Sequence, residues 1–248
     1  MRMQSSAGPR SGFDHVYAAK VWGAMGGGSG PGSSLMATKG LSALLTHFVM
    51  AYQISSLLDS SCGSMEWMPG TLEAIDEVRA IDGLFGQPAK PPLNYTGADV
   101  VGALITQHQK RFAKFESWKF IHADMTADDY PNHIAAHDVV LARDVFFHLT
   151  SDKVLAALRN FQRTGSRWLL ATHSPYHVQN NSDVATSRPD GLGLNEGGVR
   201  KLNLYFPPYN LPKAKWEFTE ADRTPRGTKK KADKRLSLWR LEELNLPS

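Results

Sequence analysis

The feature that most constrains the fold is a regular alternation between short apolar segments and amphipathic segments. The apolar segments have strand character and include ISSLLD, NYTGADVV, SWKFIHAD, HDVVLARD and RWLLATHS. The segments between them carry apolar residues at helical spacing. Parallel neighbours in a sheet need crossover helices, so this alternation predicts a doubly wound α/β fold with a mostly parallel sheet.

Local signals mark where the predicted helices begin and end. Ser33 or Ser34 can act as the N-cap of a helix that follows a glycine-rich stretch. A later helix is predicted from Ser151 to Thr164, and Gly165 closes it. These helices fit the crossovers that a parallel sheet requires.

The last third of the chain departs from this rhythm. KWEFTE and KRLSLWRLEEL are predicted as two strands that form an antiparallel hairpin at the edge of the sheet, which brings the sheet to seven strands. The net charge is +4, and much of the basic excess lies between Arg223 and Arg235. That basic stretch is either a solvated loop or a phosphate-binding segment.

Several classes of protein are excluded by composition. Cys62 is the single cysteine, so an internal disulfide and a cysteine-based zinc cluster are excluded. The longest apolar stretches are too short and too interrupted to span a bilayer. Residues 1–10 carry two arginines and no acid but lack an apolar region, so we expect a cytoplasmic protein, with an organellar presequence as the alternative.

Residues 23–34 contain six glycines and a proline and cannot form the interior of a helix or strand. The segment is either a lid or a linker. We take residues 1–32 as an N-terminal segment with a glycine-rich lid, and residues 33–248 as the main domain.

Acidic residues follow three successive predicted strands. Asp59, Asp99 and Asp124 stand at these ends, where an open parallel sheet binds its ligands. A dinucleotide site would need several glycines beside the pyrophosphate, but SSCGSM supplies only Gly63. A cofactor with hydroxyls and amines and without phosphate therefore fits better.

The order of these motifs resembles the class I methyltransferase family, in which an acid and a glycine-rich turn follow the first strand and acids follow the next two. More narrowly, the chain resembles a bacterial-type subgroup with the motifs DxxCGxxxWM and CRDxxxHL, over about residues 13–241. The stretches that carry this resemblance are Trp22–Gly23, Ser29–Ser33, Asp59–Met68, Gly97–Val101, Leu141–Leu149, Gly165–Thr172, Leu202–Pro212 and Asp233–Leu241.

The resemblance implies a Rossmann-like methyltransferase fold and S-adenosylmethionine as cofactor, with S-adenosylhomocysteine as product. Asp99 would bind the ribose hydroxyls and Asp124 the adenine amine, whereas the structural alternative for each acid is a turn or cap. Ser61 and Met65 stand where the wider family has glycines. The residues implied in cofactor binding are Trp22, Asp59, Ser60, Cys62, Gly63, Asp99, Val100, Asp124, Met125 and Arg143.

Methyl transfer from a sulfonium is an in-line displacement, which needs alignment and a base when the acceptor is a hydroxyl or amine. Asp144 and His148 follow the fourth strand and are the candidate bases, with His173 weaker. The structural alternatives are a helix-start acid paired to Arg143 and a packed core histidine.

The function expected is an O-methyltransferase acting on a small molecule or glycan. Asn180, Asn181, Asn203 and Tyr205 have a composition that suits recognition of sugar hydroxyls. One alternative is an RNA or protein methyltransferase that holds an acidic partner through residues 223–235. Another is a non-catalytic methyltransferase-like subunit. The acceptor and the oligomeric state stay open.

Overall fold

The computed structural model describes residues 12–81, 89–180, 183, 193–194, 197–219 and 234–247. Its centre is a seven-stranded sheet in the order β3-β2-β1-β4-β5-β7-β6. The strands are β1 Ser56–Ser60, β2 Asn94–Asp99, β3 Trp118–His122, β4 Val139–Ala142, β5 Trp168–His173, β6 Trp216–Thr219 and β7 Arg235–Arg240.

Strands β1 to β5 run parallel, and β7 pairs antiparallel with both β5 and β6. The predicted α/β fold class is confirmed: the sheet is doubly wound, seven-stranded and mostly parallel, with an antiparallel hairpin at its C-terminal end. The structure adds one detail, because β7 inserts beside β5 and leaves β6 as the edge strand. Residues 220–233, which include most of the basic stretch, lie outside the described residues.

Six α-helices connect and cover the strands of the described part. Ser34 caps the second helix and accepts a hydrogen bond from the backbone N of Ala37, which agrees with the predicted start. Gly165 follows the last helix at φ +76°, as a helix-closing glycine does. The helices are α1 Gly12–Ala18, α2 Leu35–Ala51, α3 Met68–Ile81, α4 Gly102–Arg111, α5 Tyr130–His133 and α6 Ser151–Arg163.

Each face of the sheet has its own hydrophobic core. Leu57 packs into the core beneath α2, α3 and α4, whereas Leu58 packs into the core beneath α5 and α6. Val139 and Val140 divide in the same way, because successive side chains of a strand point to opposite faces. Burial on both faces explains why these strands are continuous apolar runs.

The strand order reverses between β1 and β4, since β2 and β3 continue on one side and β5 on the other. Ligands of open α/β sheets bind at such a switch point, beside the carboxyl ends of the strands. Among the described residues, no helix is both long and apolar enough to cross a membrane.

The glycine-rich segment contains two short 3-10 turns, Met25–Gly28 and Pro31–Ser33. Gly26 and Gly27 have left-handed φ values of 63° and 62°, so the segment has no regular helix interior. This agrees with the prediction of an irregular segment, and it leads directly into α2.

Candidate functional site

A cavity of about 1260 Å³ lies at the carboxyl ends of β1, β2 and β4. Helix α1 and the glycine-rich segment form its opposite wall. Its volume exceeds the usual range of about 300–1,000 Å³ for small-molecule pockets, so it can hold more than one small ligand. The predicted residues that line it are Trp22, Asp59, Cys62, Gly63, Asp99, Val100, Asp124, Met125, Arg143, Asp144 and His148.

Two predicted candidates lie outside this wall. The Ser60 hydroxyl lies 3.1 Å from the Tyr130 hydroxyl, on the opposite face of β1 from Asp59. The Nε2 atom of His173 lies 3.0 Å from the Ser237 hydroxyl, and burial lowers the pKa of His173 to about 3. The structure therefore places both side chains in the packing of the sheet.

The turn after β1 uses an unusual backbone. Ser61, Gly63 and Met65 have φ values of 82°, 57° and 56°, in the left-handed region. Two of these residues carry side chains, and the left-handed conformation costs them roughly 1–2 kcal/mol each. The turn thus keeps a glycine-like path where Ser61 and Met65 replace glycines. Backbone bonds from Ser61 and Cys62 to the Ala98 carbonyl, at 2.8 and 3.0 Å, hold its start.

Hydrogen bonds fix both backbone polar groups of Gly63, its N–H and its carbonyl. Its N–H donates to Oδ2 of Asp99 at 2.9 Å, and its carbonyl accepts from Nε2 of His108 at 2.7 Å. A Cβ at Gly63 would lie 2.7 Å from the Ser29 hydroxyl and 3.0 Å from the Tyr17 hydroxyl. The close approach of the wall therefore requires glycine at this position.

The two buried carboxyls at the switch point differ in their partners. Asp99 accepts two backbone N–H bonds, from Gly63 and Val101, which oppose the rise in its pKa that burial causes. Asp59 accepts a hydrogen bond from the Tyr95 hydroxyl at 3.0 Å. Burial, reinforced by the negative charge of Asp99, raises the pKa of Asp59 to about 7. Asp59 therefore changes charge near neutral pH.

Asp124 stands two residues after β3 and is exposed. Its Oδ1 accepts bonds from the backbone N and the hydroxyl of Thr126, both at 2.8 Å. The turn-capping alternative is therefore present in the structure. Asp124 also lines the cavity, so its predicted contact with an adenine amine stays a prediction.

The end of β4 carries a partly buried cluster of charges. Asp144 has a left-handed φ of 54° and lies 3.3 Å from Arg143 and 2.7 Å from the Lys234 ammonium. Burial raises the pKa of Asp144, but the two positive charges outweigh burial and bring it to about 2. Arg143 also donates to the Gly32 carbonyl at 2.9 Å. This cluster ties the glycine-rich segment and the start of β7 to the sheet.

His148 ends a short 3-10 turn after β4. Its Nδ1 lies 2.8 Å from the Gly198 carbonyl, which can only accept, so Nδ1 carries the hydrogen. In the neutral ring Nε2 then has the lone pair that a general base needs. The rings of Trp22 and Phe147 pack against it, with centroids at 4.8 and 4.6 Å.

Hydrogen bonds join the glycine-rich segment to the turn after β1. The Ser29 hydroxyl lies 2.7 Å from the Tyr17 hydroxyl, donates to the Ser64 hydroxyl at 3.0 Å, and accepts from the Ser64 backbone N at 2.9 Å. Ser64 donates in turn to the Gly26 carbonyl at 2.6 Å. We call residues 12–34 the cover. These contacts close the cavity on this side, and whether the cover acts as a lid or as a linker stays a prediction.

The residues predicted to recognise a sugar are engaged elsewhere. Asn203 donates to the carbonyls of Pro175 and His177 at 3.0 and 2.7 Å, and Asn180 donates to the Asn203 carbonyl at 2.9 Å. The hydroxyl of Tyr205 donates to Glu217. None of these three described side chains lines the cavity. Residue 181 lies outside the described part of the chain.

Several wall residues escaped the sequence analysis. Phe13 and Tyr17 lie in the aromatic-rich segment before the glycines, which was the available signal. Lys234 belongs to the basic stretch in the sequence, but its ammonium reaches Asp144. Outside the wall, His108 of α4 bonds the Gly63 carbonyl, and no sequence signal marks it. Only contacts between distant parts of the chain reveal these roles.

No family model and no curated protein matches the chain. The solved structure of N-methyltransferase NodS from Bradyrhizobium japonicum WM9 is 12% identical, with a TM-score of 0.48 over 82% of this chain and 96% of NodS. Magnesium protoporphyrin IX methyltransferase (ChlM) from Synechocystis PCC 6803, with bound SAH, is 15% identical, with a TM-score of 0.39 over 56% of this chain and 57% of ChlM. The methyltransferase domain of bacterial CtHen1-C is 12% identical, with a TM-score of 0.43 over 56% of this chain and 66% of that domain. The chain thus spans less than two thirds of ChlM and of the CtHen1-C domain.

Proposed function

We propose that this protein is an S-adenosylmethionine-dependent methyltransferase that acts on a hydroxyl of a small molecule or glycan. The observation that carries the proposal is the 2.9 Å bond between Gly63 N–H and Asp99, at the switch point and in the wall of a covered cavity. This bond joins a glycine, which lets a ligand come close to the backbone, to a buried carboxylate, which can accept hydrogen bonds from hydroxyls. A nucleoside with an amino acid tail needs both.

The charges of the cavity wall fit this cofactor. Each Asp99 oxygen accepts one backbone bond and keeps a lone pair for a ribose hydroxyl. Acidic residues outnumber basic ones, which suits a sulfonium and an amino group and disfavours a pyrophosphate. The acidic wall residues are Asp14, Asp59, Glu66, Asp99, Asp124, Asp129 and Asp144, and the lysines and arginine are Arg143, Lys153 and Lys234.

When bound, the cofactor would supply an electrophilic methyl group. His148 is the base in our proposal, because the Gly198 carbonyl fixes its proton on Nδ1 and leaves Nε2 to take a proton from the acceptor hydroxyl. The Trp22 ring packs against the imidazole at a centroid distance of 4.8 Å and helps to hold it in place. Asp144 has a pKa of about 2, which is too low for an efficient base, so we assign it to positioning Arg143 and Lys234.

The cover favours a small acceptor over a macromolecule. Phe13, Tyr17 and Trp22 line the cavity from the cover, and Phe147 adds a fourth aromatic ring. Aromatic rings stack on sugars and on planar molecules. The RNA or protein alternative depends on the basic stretch, of which Lys234 and Arg235 are described, and the ammonium of Lys234 is bound to Asp144.

Calorimetric titration with S-adenosylmethionine and S-adenosylhomocysteine tests the proposal. We expect the wild-type protein to bind both with a Kd in the micromolar range. Asp99→Ala, shown to be folded by its thermal unfolding, should lose at least about tenfold in affinity, or about 1.4 kcal/mol. Absence of binding by the wild-type protein would contradict the proposal.

A second experiment separates the acceptor classes. Hydroxylated small molecules, glycans and RNA are offered with the cofactor, and formation of S-adenosylhomocysteine is measured. Turnover of hydroxylated small molecules or glycans supports the proposal. Turnover of RNA alone, with steep loss of binding as salt rises, would support the nucleic acid alternative.

A further inference from the structure

His108 lies behind the turn after β1 and is buried, with 1% of its surface exposed. It projects from α4, and its Nε2 lies 2.7 Å from the Gly63 carbonyl oxygen. Its side chain does not line the cavity. It therefore contacts the candidate site only through the backbone of the turn.

The bond to Gly63 fixes the tautomer of His108. A carbonyl oxygen only accepts, so Nε2 carries the hydrogen and Nδ1 does not. Nδ1 is buried and has no hydrogen-bond partner among the described residues. The rings of Phe112 and Phe120 lie beside it, with centroids at 6.0 and 5.3 Å. Burial lowers the pKa of His108, which agrees with a neutral ring.

An aromatic hydrocarbon would suit this surrounding better than an imidazole. The unsatisfied Nδ1 carries a desolvation cost, which Phe in the same place would avoid. Among the described residues, the hydrogen bond to the Gly63 carbonyl is the one that the His108 side chain makes, so the imidazole is explained by that bond.

The backbone of the turn after β1 needs stabilising contacts from residues outside the turn. Ser61 and Met65 stand at positive φ with side chains, a backbone state that persists only when the surroundings over-determine it. Asp99 holds the N–H of Gly63 and His108 holds its carbonyl. If the His108 bond is lost, the Gly63 unit can reorient and withdraw its N–H from Asp99.

We propose that His108 is a positioning residue of the cofactor site, which holds the Gly63 carbonyl and thereby orients the Asp99 carboxylate toward the cofactor ribose. The proposal rests on the proposed function, since it assigns the cofactor to this cavity. His108 itself would not touch the cofactor.

The test compares three variants by calorimetry with S-adenosylhomocysteine and by thermal unfolding. His108→Phe removes the donor but keeps the ring volume, and we expect its Kd to rise about tenfold, or about 1.4 kcal/mol. His108→Gln keeps an N–H donor at the Nε2 position and should bind within about threefold of wild type, or about 0.7 kcal/mol.

His137→Phe is the matched control. His137 lies before β4, away from the cavity wall, and bonds the Ala135 carbonyl at 2.7 Å and the Thr96 hydroxyl at 2.9 Å. This variant should lower the melting temperature and leave the Kd unchanged. A merely structural role of His108 would give the same pattern for His108→Phe.

A readout without cofactor completes the test. Hydrogen exchange of the Gly63 amide, followed by NMR, should be faster in His108→Phe than in wild type and in His108→Gln. If His108→Phe does not fold, His108→Leu takes its place. Equal affinity and equal exchange in wild type and His108→Phe would overturn the inference. Absence of cofactor binding by the wild type would overturn the proposed function and, with it, the role assigned to His108.

Discussion

The Lys234 ammonium lies 2.7 Å from each carboxylate oxygen of Asp144 and joins the residue before β7 to the end of β4. Arg143 contacts the same carboxylate at 3.3 Å. One carboxylate therefore contacts two cations at the cavity wall, and its removal takes a shared charged partner from both.

Asp144→Asn is expected to lower the free energy of unfolding at pH 7 by about 1–3 kcal/mol, because the buried Arg143 loses a charged partner. The folded pKa of about 2 lies below the ordinary value of 3.8. The stabilisation by Asp144 is thus present above about pH 4 and is lost as the pH falls toward about 2.

Urea unfolding at neutral and acidic pH measures this effect. Asp129→Asn is the matched control, since its pair with His133 is exposed and should be worth under about 1 kcal/mol. Equal unfolding curves for Asp144→Asn and Asp129→Asn would show that the cluster around Asp144 adds no stability.

Asp59 should make cofactor affinity depend on pH. Its pKa of about 7 means that it is mostly neutral below that pH and charged above it, with Tyr95, Asp99, Arg143 and Cys62 as the ionisable neighbours. The cationic sulfonium favours the charged form, so affinity for S-adenosylmethionine should rise about 3- to 10-fold between about pH 6 and 8. S-adenosylhomocysteine has no sulfonium charge and should show a smaller rise.

Asp59→Asn is the control for this titration. It cannot ionise, so the ratio of the two affinities should become independent of pH. A ratio that keeps its wild-type pH dependence in the variant would assign the effect to another group. Calorimetry at several pH values provides the measurement.

Gly63→Ala should impair both stability and cofactor binding. The added methyl group meets the Ser29 and Tyr17 hydroxyls at 2.7 and 3.0 Å and occupies a left-handed backbone. We expect a loss of about 2–4 kcal/mol in the free energy of unfolding, from backbone strain and overpacking. Gly70→Ala is the control, because its Cβ would meet no atom within 4 Å.

His148 can be tested once an acceptor is known. His148→Phe keeps an aromatic ring beside Trp22 and removes the base, so kcat should fall about 10²- to 10⁴-fold. The Kd for the cofactor should change little. A variant that retains kcat and loses only affinity would place His148 in binding rather than in proton transfer.

Proteolysis tests whether the cover closes over ligand. Lys20 is exposed within the cover, and trypsin cleavage after it should slow when S-adenosylhomocysteine is bound. Cleavage after the exposed Lys114, far from the cover in sequence, is the internal control. Ser29→Ala should weaken the protection, since it removes the hydroxyl that joins Tyr17 to Ser64. Unchanged cleavage after Lys20 would contradict a ligand-dependent lid.

Sequence periodicity was enough to predict the sheet and the place of Asp59 and Asp99. Apolar runs and helical spacing follow from burial on both faces, and parallel strands end at a common edge. The left-handed state of Met65 was not predictable, since a methionine carries no such signal. Nor was the contact of Lys234 with Asp144, because pairing between residues 90 positions apart depends on tertiary packing.

The hydroxyl of Ser29 is bonded at the same time to the cover, through Tyr17, and to the turn, through the amide of Ser64. Opening of the cover therefore breaks the bond between Ser29 and the Ser64 amide, which stabilises the turn that would bind the cofactor. Opening of the cover and ordering of the turn after β1 are therefore thermodynamically coupled. By reciprocity, a molecule that stabilises the ordered turn must also favour the closed cover.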